Sequence, residues 1–455
     1  MSMVQQEIVR AAAVAGAYVA VLALGEGVRR VLPAFPEISR KTVHLLSGLI
    51  AVFFPWIFHS PWTVLALSLG FCLLVEVSRR CGFLLSVHGV PRVSRGGQYF
   101  PLAVYILFLV GRDQPVFYGI AILVMAVSDT LAALVGGKYG AIKFDVEGNL
   151  KSLEGSTAFF FVTFLCIHVP LLLLTDIGRA ESVLISGIIA LLVTGFEAIA
   201  LSGSDNIFVP LGTFFMLAKF TTKSLQVVAW QGTILIMLIA AGVLMYTRPR
   251  IFKASGLIAI ILLNYAALSL CNYFWFLPLF LAQILYYICI LAFVRAEGAA
   301  NVSGFQVKVL LYSGGLPAAL LFAANALPDY MSVYLPYVTA MSAQLAIIGI
   351  YFLPFLLRLV HNAPERRALQ GSAGLFWPLL TVFFIAGVPL FLYMPGRFQP
   401  AMLLVAGGTL SAYVLDSVWR RHRHSQAGNA EHRRRFFCAA AGAAAVYALQ
   451  RWCGI

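Results

Sequence analysis

Charge is what this sequence has least of. Only 11% of its 455 residues are Asp, Glu, Lys or Arg, 61% are hydrophobic, and the mean hydropathy is +0.89. A soluble domain carries charge at about a quarter of its positions, so the composition excludes a large water-soluble protein with buried core helices, which would be charged on one face. Cysteine is sparse and unpatterned. The seven residues Cys72, Cys81, Cys166, Cys271, Cys289, Cys438 and Cys453 show neither metal-ligand spacing nor a disulfide framework, and most sit in apolar runs as small core residues. The P-loop pattern GxxxxGK[ST] is absent, because Lys138 is followed by Tyr139. No internal repeat relates the two halves of the chain.

What is present is long uncharged runs. No Asp, Glu, Lys or Arg occurs from Thr42 to Val75, Ser156 to Thr175, Ser224 to Thr247, Ala254 to Val294, Tyr330 to Leu357 or Ala368 to Gly396. A helix needs roughly 20 apolar residues to cross a bilayer core, so several runs hold one crossing and the longest hold two. The expectation is an all-α, polytopic integral membrane protein with about 16 transmembrane helices. The crossing that begins near Asn206 is short enough to be re-entrant. The first, from Ile8 to Gly25, reads as a span and not as a cleaved signal, since Glu26 and Arg29 follow with no clear small-residue cleavage site.

The formal charge of +14 would suggest nucleic acid in a soluble protein. In a membrane protein it reflects basic loops on the cytoplasmic side, and no nucleic-acid partner is expected. Alternating the sixteen crossings puts 25 of the 32 Lys and Arg on one side, among them Arg40, Lys41, Lys138, Lys143 and Lys151. That side is therefore expected to face the cytoplasm, with the chain in the inner membrane if it is prokaryotic. The cluster Arg248, Pro249, Arg250, Lys253 suggests a boundary, with residues 1–253 as one membrane domain and 254–455 as a second one of unassigned function.

The residues with chemical potential lie before that boundary. Intramembrane acids are expensive and so are functional candidates. Asp129 closes an uncharged run, and SDTLAALVGGKYGAIKFDVEGNLKSLEGS follows from Ser128. Gly136, Gly137 and Gly140 suit a tight turn and close approach to a ligand. Lys138, Lys143 and Lys151 bring three cations to the same stretch, and Ser152 to Ser156 opens the next span, whose N-terminal N–H groups suit an anion. Two more places fall on the same side: RKTVHLLSG with Arg40, Lys41 and His44, and GFEAIALSGSDNIFVP with Glu197, Asp205 and Asn206. Each has a bland local reading. Adjacent cations at a span entry anchor it, a lone His on an apolar helix is a core residue, and Asp or Asn before a helix is a cap.

At these residues the chain resembles the CTP-dependent polyprenol kinase family, which includes dolichol, phytol and farnesol kinases and the CTP-dependent diacylglycerol kinase of yeast type. The resemblance rests on Arg40–Lys41 with His44 and Gly48; on Asp129, Ala133, Gly136, Gly140 and Lys143; on Lys151–Ser152 with Glu154–Gly155; and on Glu197, Asp205–Asn206 and Val209–Pro210. It covers roughly residues 20 to 245. Ser128 stands where the family often has Gly before the Asp. The resemblance implies that residues 1–253 transfer the γ-phosphate of CTP to the hydroxyl of a membrane lipid alcohol, with Mg2+ as cofactor and the bilayer as the second partner. It implies Asp129 as the catalytic residue, on magnesium or on the attacking hydroxyl, with Asp205 as a further metal candidate. Arg40, Lys41, Gly136, Lys138, Gly140, Lys143, Lys151, Ser152, Glu154 and Gly155 would bind nucleotide. His44, Glu197, Asp205 and Asn206 complete the candidate site.

The phosphatidate cytidylyltransferases resemble the same block, but their C-terminal His-Gly-Gly and Asp-Arg elements have no counterpart here, VHGVPR near His88 being a poor substitute. A lipid or small-molecule transporter would account for the number of spans, yet should show repeated halves or broken helices near mid-membrane.

Overall fold

The computed structural model describes residues 2–88, 95–146, 149–247, 253–297, 307–326, 330–349, 352, 365–422 and 429–453. They form two compact units, Met1–Leu235 and Ile236–Ile455. Among the described residues, eleven helices are long and apolar enough to cross a membrane, and Gly96–Gly111 and Gly314–Ala324 are shorter apolar helices. The chain is an all-α polytopic membrane protein with one small hairpin. The sixteen crossings read from the runs include segments that form helices below spanning length. The basic residues Arg248 and Arg250 lie outside the described residues.

In the first unit α1 is Met3–Val31, α2 Pro36–Val52, α3 Phe54–Ile57, α4 Pro61–Cys81, α5 Leu85–His88, α6 Gly96–Gly111 and α7 Pro115–Leu123. A π-helical turn, Val124–Ser128, continues α7 directly into α8, Asp129–Tyr139. Strands β1, Lys143–Val146, and β2, Asn149–Ser152, pair antiparallel, with Lys143 opposite Ser152. Then come α9 Leu153–Leu174, α10 Arg179–Ile199, α11 Asp205–Phe220 and α12 Leu225–Thr247, inside which the two units divide. Proline opens α2, α4 and α7, where its missing N–H costs nothing. Gly82, at φ +72°, closes α4 in the left-handed conformation that favours glycine. Outward-facing Leu69, Leu73, Phe161, Leu165, Leu173 and Leu174 are exposed, as lipid-facing surfaces require.

Small residues let the helices of this unit approach closely. A Cβ on Gly48 would lie 2.3 Å from that of Ala126, so α2 packs directly on the π turn. The same face of α2 presents Lys41, His44, Gly48 and Ala51 at helical spacing. Its other face, with Val43, Leu46 and Ile50, packs on Val21 and Leu22 of α1 and Phe71 and Leu74 of α4. A cavity of about 1,100 Å³ lies between α1 and α4, lined by Tyr18, Leu22, Trp62, Phe71 and Leu74 among others.

In the second unit α13 is Ala254–Ala266, running into a π turn at Ala267–Cys271, followed by α14 Tyr273–Glu297, α15 Val307–Ala326, a 3-10 turn at Tyr330–Val333 and α16 Tyr334–Gly349. The remaining helices are α17 Glu365–Tyr393, α18 Phe398–His422 and α19 Asn429–Cys453. Helix α16 is buried along nearly its whole length and is surrounded by α14, α15, α17, α18 and α19. Its aromatic residues are satisfied from α14: Tyr337 donates to the Trp275 carbonyl at 2.8 Å and Tyr334 to that of Phe274 at 3.2 Å. Gly408 and Gly442 allow α18 and α19 to touch, since a Cβ on Gly442 would sit 2.5 Å from the Gly408 oxygen.

Candidate active site

Several buried charges of the first unit meet at one place, beginning with α2 and the π turn. Lys41 is only 2% exposed; its Nζ donates to Asp129 Oδ2 at 2.5 Å and to the Asp129 carbonyl at 3.0 Å. The Nε2 of His44, one turn on, lies 3.3 Å from the same Oδ2 and 3.2 Å from the Met125 carbonyl. Asp129 Oδ1 has no hydrogen bond among the described residues. The π turn immediately before Asp129 shifts the helical register there, a distortion that recurs at functional sites. The bland readings of two residues therefore fail. Lys41 does not anchor the span at the surface, and His44 is not a lone core histidine. Arg40 stays at the rim, 16% exposed, held by both oxygens of Glu37 at 3.1 and 2.5 Å, and it interacts electrostatically with Asp129 and Asp205.

A second pair closes the cluster from the hairpin side. Lys151, on β2, reaches the end of α10 and donates to Glu197 Oε1 at 2.6 Å and to the Glu197 carbonyl. Glu197 in turn feels the charges of Asp205 and Asp129. Asp205 is the first residue of α11, and its Oδ1 is buried with no hydrogen-bond partner. It is thus no cap; Ser204 precedes the helix, also with no side-chain capping bond. The turn that delivers Asp205 is strained, with Ser202 at φ +53° and Gly203 at φ +88°, and a non-glycine residue there is uncommon. Leu201 N–H donates to Ser204 Oγ at 3.2 Å, Asn206 Nδ2 donates to the Gly203 carbonyl at 3.2 Å, and Arg95 N–H donates to the Ser202 carbonyl at 3.0 Å. Asn206 therefore braces the turn.

Other residues singled out in the sequence build the scaffold. The stretch after Asp129 is helical as far as Tyr139, so Gly136 and Gly137 are not in a turn, contrary to expectation. Gly136, Gly140 and Gly155 converge on Ser152: a Cβ on each would lie 2.8 to 2.9 Å from Ser152 Oγ. Close approach is needed there between α8, α9 and the hairpin. Ser152 Oγ also accepts from Gly155 N–H at 3.1 Å as the N-cap of α9. The Glu154 carboxylate accepts from Ile142 N–H at 3.1 and 3.4 Å, tying the hairpin to α9. Lys138 and Lys143 are exposed; Lys138 lies over the ring of Tyr139, 5.1 Å from its centroid. The cluster thus unites Arg40, Lys41, His44, Asp129, Lys151, Glu197 and Asp205, while Lys138 and Lys143 stay outside it. Two contributors escaped the sequence reading. Glu37, three residues before Arg40, carried the signal of an i, i+3 ion pair. The strained Ser202 had no signal beyond Gly203.

A phytol kinase of Synechocystis sp. is 30% identical over 218 residues, which span 48% of this chain and 88% of that protein. The chain belongs to the polyprenol and phytol kinase family. A probable chloroplastic phytol kinase of Glycine max is 28% identical over 218 residues, 44% of this chain and 71% of its own length. An uncharacterized protein of Methanocaldococcus jannaschii is 31% identical over 149 residues, 29% of this chain and 71% of its own. No family model and no solved structure matches the chain. As a member of the phytol kinase family the chain is a lipid kinase, a phosphotransferase with an alcohol acceptor. Phosphoryl transfer requires positioning and charge neutralisation more than covalent chemistry. A site for it needs cations for phosphates and carboxylates for a metal or the acceptor, and the cluster holds both. Among the described residues no three His, Cys, Asp or Glu side chains stand close enough together to hold a metal ion by themselves.

Proposed function

We propose that the first unit transfers the γ-phosphoryl group of CTP to the hydroxyl of a membrane lipid alcohol of the phytol, farnesol or dolichol kind, at the cytoplasmic face. One observation carries the assignment of the site: five separate elements bring Lys41 with His44, Asp129, Lys151, Glu197 and Asp205 to one place, and leave Oδ1 of Asp129 and Oδ1 of Asp205 there without a protein partner. The choice of CTP rests on the resemblance to the CTP-dependent polyprenol kinases. The acceptor class rests on the phytol kinase relatives.

In this reading Arg40 and Lys151 hold phosphate oxygens, Arg40 through its planar fork, and the N-terminus of α9 faces the same anion. Asp129, already bound through Oδ2 to Lys41 and His44, belongs to the acceptor side. The buried, unpartnered Oδ1 of Asp205 suits magnesium, which commonly takes one or two carboxylates and completes its shell with substrate phosphates and water. When bound, magnesium would supply charge neutralisation on the transferring phosphoryl group. The hairpin and the Ser152 junction fix Lys151, and the Leu201–Ser204 turn fixes Asp205.

Purified protein incubated with γ-labelled CTP or ATP and a panel of phytol, farnesol, dolichol and diacylglycerol tests this. Label in a lipid product, greater from CTP and with the single-chain alcohols, is the expected result. Pyrophosphate release with phosphatidate and no labelled lipid would point to cytidylyl transfer and overturn it.

A further inference from the structure

Resting on this phosphotransfer reading, we infer that His44 is the group that receives the proton of the acceptor hydroxyl. The ring's tautomer follows from its neighbours. Nε2 lies between two oxygens, the Met125 carbonyl at 3.2 Å and Asp129 Oδ2 at 3.3 Å. A backbone carbonyl can only accept, and so can a carboxylate ion-paired with lysine. Nε2 must therefore carry a proton, and in the neutral ring Nδ1 is then a bare acceptor. Nδ1 makes no hydrogen bond among the described residues and is not among the sealed buried atoms, the side chain keeping 12% of its surface exposed. The edge of Phe100, 5.3 Å between centroids, supports the ring from α6. This is the geometry of an oriented base: one nitrogen pinned, the other open. The charged groups around it are Lys41 and Arg40 on its own helix and Asp129 from α8. Glu197 of α10, a like charge to Asp129, and Asp205 of α11, an opposite charge to Arg40, complete the surrounding charged groups.

The step balances without another reactant. The acceptor oxygen attacks the γ-phosphorus of the nucleoside triphosphate, and the O–P bond forms. The bond from that phosphorus to the β,γ-bridging oxygen breaks, and its electron pair leaves with the nucleoside diphosphate. The hydroxyl proton passes to His44 Nδ1, and the imidazolium so formed is held by Asp129 through Nε2. Asp129 is then a positioning residue for the base as well as the counter-charge of Lys41.

The test uses the full-length protein and two substitutions. His44→Gln keeps a donor near the Nε2 position and removes the Nδ1 acceptor; His44→Asn is the alternative should the first not fold. Transfer of label from γ-labelled CTP to phytol is measured together with nucleotide affinity and melting temperature. Expected is a loss in kcat of about 10²-fold or more, the scale of general-base catalysis, with KM for nucleotide and melting nearly unchanged. Wild-type kcat in either variant overturns the role of His44 and leaves the kinase reading intact. Absence of labelled lipid with the wild-type protein overturns the kinase reading itself. On the wild-type protein, 15N NMR with labelled histidine reads the tautomer directly. A pyridine-type Nδ1 resonance that moves on addition of phytol is expected, and no such resonance among the histidines overturns the inference.

Discussion

Asp129 in the first unit and Asp416 in the second are both intramembrane carboxylates that meet two basic side chains, and they differ in what is left over. Asp416 is fully buried; Oδ1 pairs with Arg434 at 2.8 Å and Oδ2 with Arg420 at 2.9 Å. Glu431 pairs with Arg435 and, at 3.8 Å, with Arg434. That network joins the end of α18 to the start of α19, and each Asp416 oxygen faces an arginine, Oδ1 as a hydrogen-bond acceptor and Oδ2 at ion-pair distance without a hydrogen bond. Asp129 is 19% exposed, concentrates Lys41 and His44 on one oxygen and leaves the other open. Beside it lie a buried unpartnered carboxylate oxygen on Asp205 and a left-handed serine in the turn before it. A carboxylate with an arginine at each oxygen holds helices together. One that leaves an oxygen without a cation, beside a strained turn, is on the proposed reading arranged for a ligand.

The largest effect expected from this contrast is on catalysis. Asp129→Asn should lower lipid phosphorylation on the order of 10³-fold, and the buried Lys41 left without its counter-charge should also lower the melting temperature of a protein that still inserts; near-wild-type turnover would remove Asp129 from the chemistry. Asp416→Asn should affect stability alone. Breaking a buried ion pair on one side costs about 3–5 kcal/mol, so unfolding in detergent followed by circular dichroism should shift strongly, with turnover below the transition unchanged. A loss of activity without a loss of stability would erase the distinction. Smaller effects should come from the glycines. Gly155→Ala puts a Cβ 2.9 Å from Ser152 Oγ and 3.1 Å from the Ala132 oxygen, and should cost about 1–3 kcal/mol. Gly137→Ala, with nothing within 4 Å, should gain up to about 1 kcal/mol from helix propensity. Equal melting shifts for the two would refute the Ser152 junction. The smallest change is expected from removing the second half. A fragment of residues 1–253 should retain its turnover, because every residue of the cluster precedes it. A fragment that folds and binds nucleotide without activity would show that residues 254–455 contribute to catalysis.

Much of the candidate site was legible because expensive residues advertise themselves. Asp129, Glu197 and Asp205 stand out as acids in or beside apolar runs, and Lys41 and His44 stand out at a span entry. Their partners were not legible. That Lys151 meets Glu197, 46 positions away, depends on a hairpin the apolar pattern does not announce, since β1 and β2 are four residues each. The glycines misled for a related reason. In sequence Gly136 and Gly137 look like a turn, but buried backbone in a membrane must satisfy its own hydrogen bonds, and continuing the helix to Tyr139 does so.

The sequence by itself determined the solvent and the class of chain, because a run without charge as long as Ala254–Val294 has no stable home in water. It also carried the family block, whose acids and cations are chemically too particular for chance in so apolar a chain. Only the tertiary structure decided which cation goes inward. Arg40 and Lys41 are neighbours in sequence but about 100° apart around α2, so when Gly48 seats that helix on Ala126, one of the two must face Asp129 and the other the rim. Lys41 takes the inner position and Arg40 the outer one held by Glu37, a choice set by how two helices pack and not by the order of the residues along either.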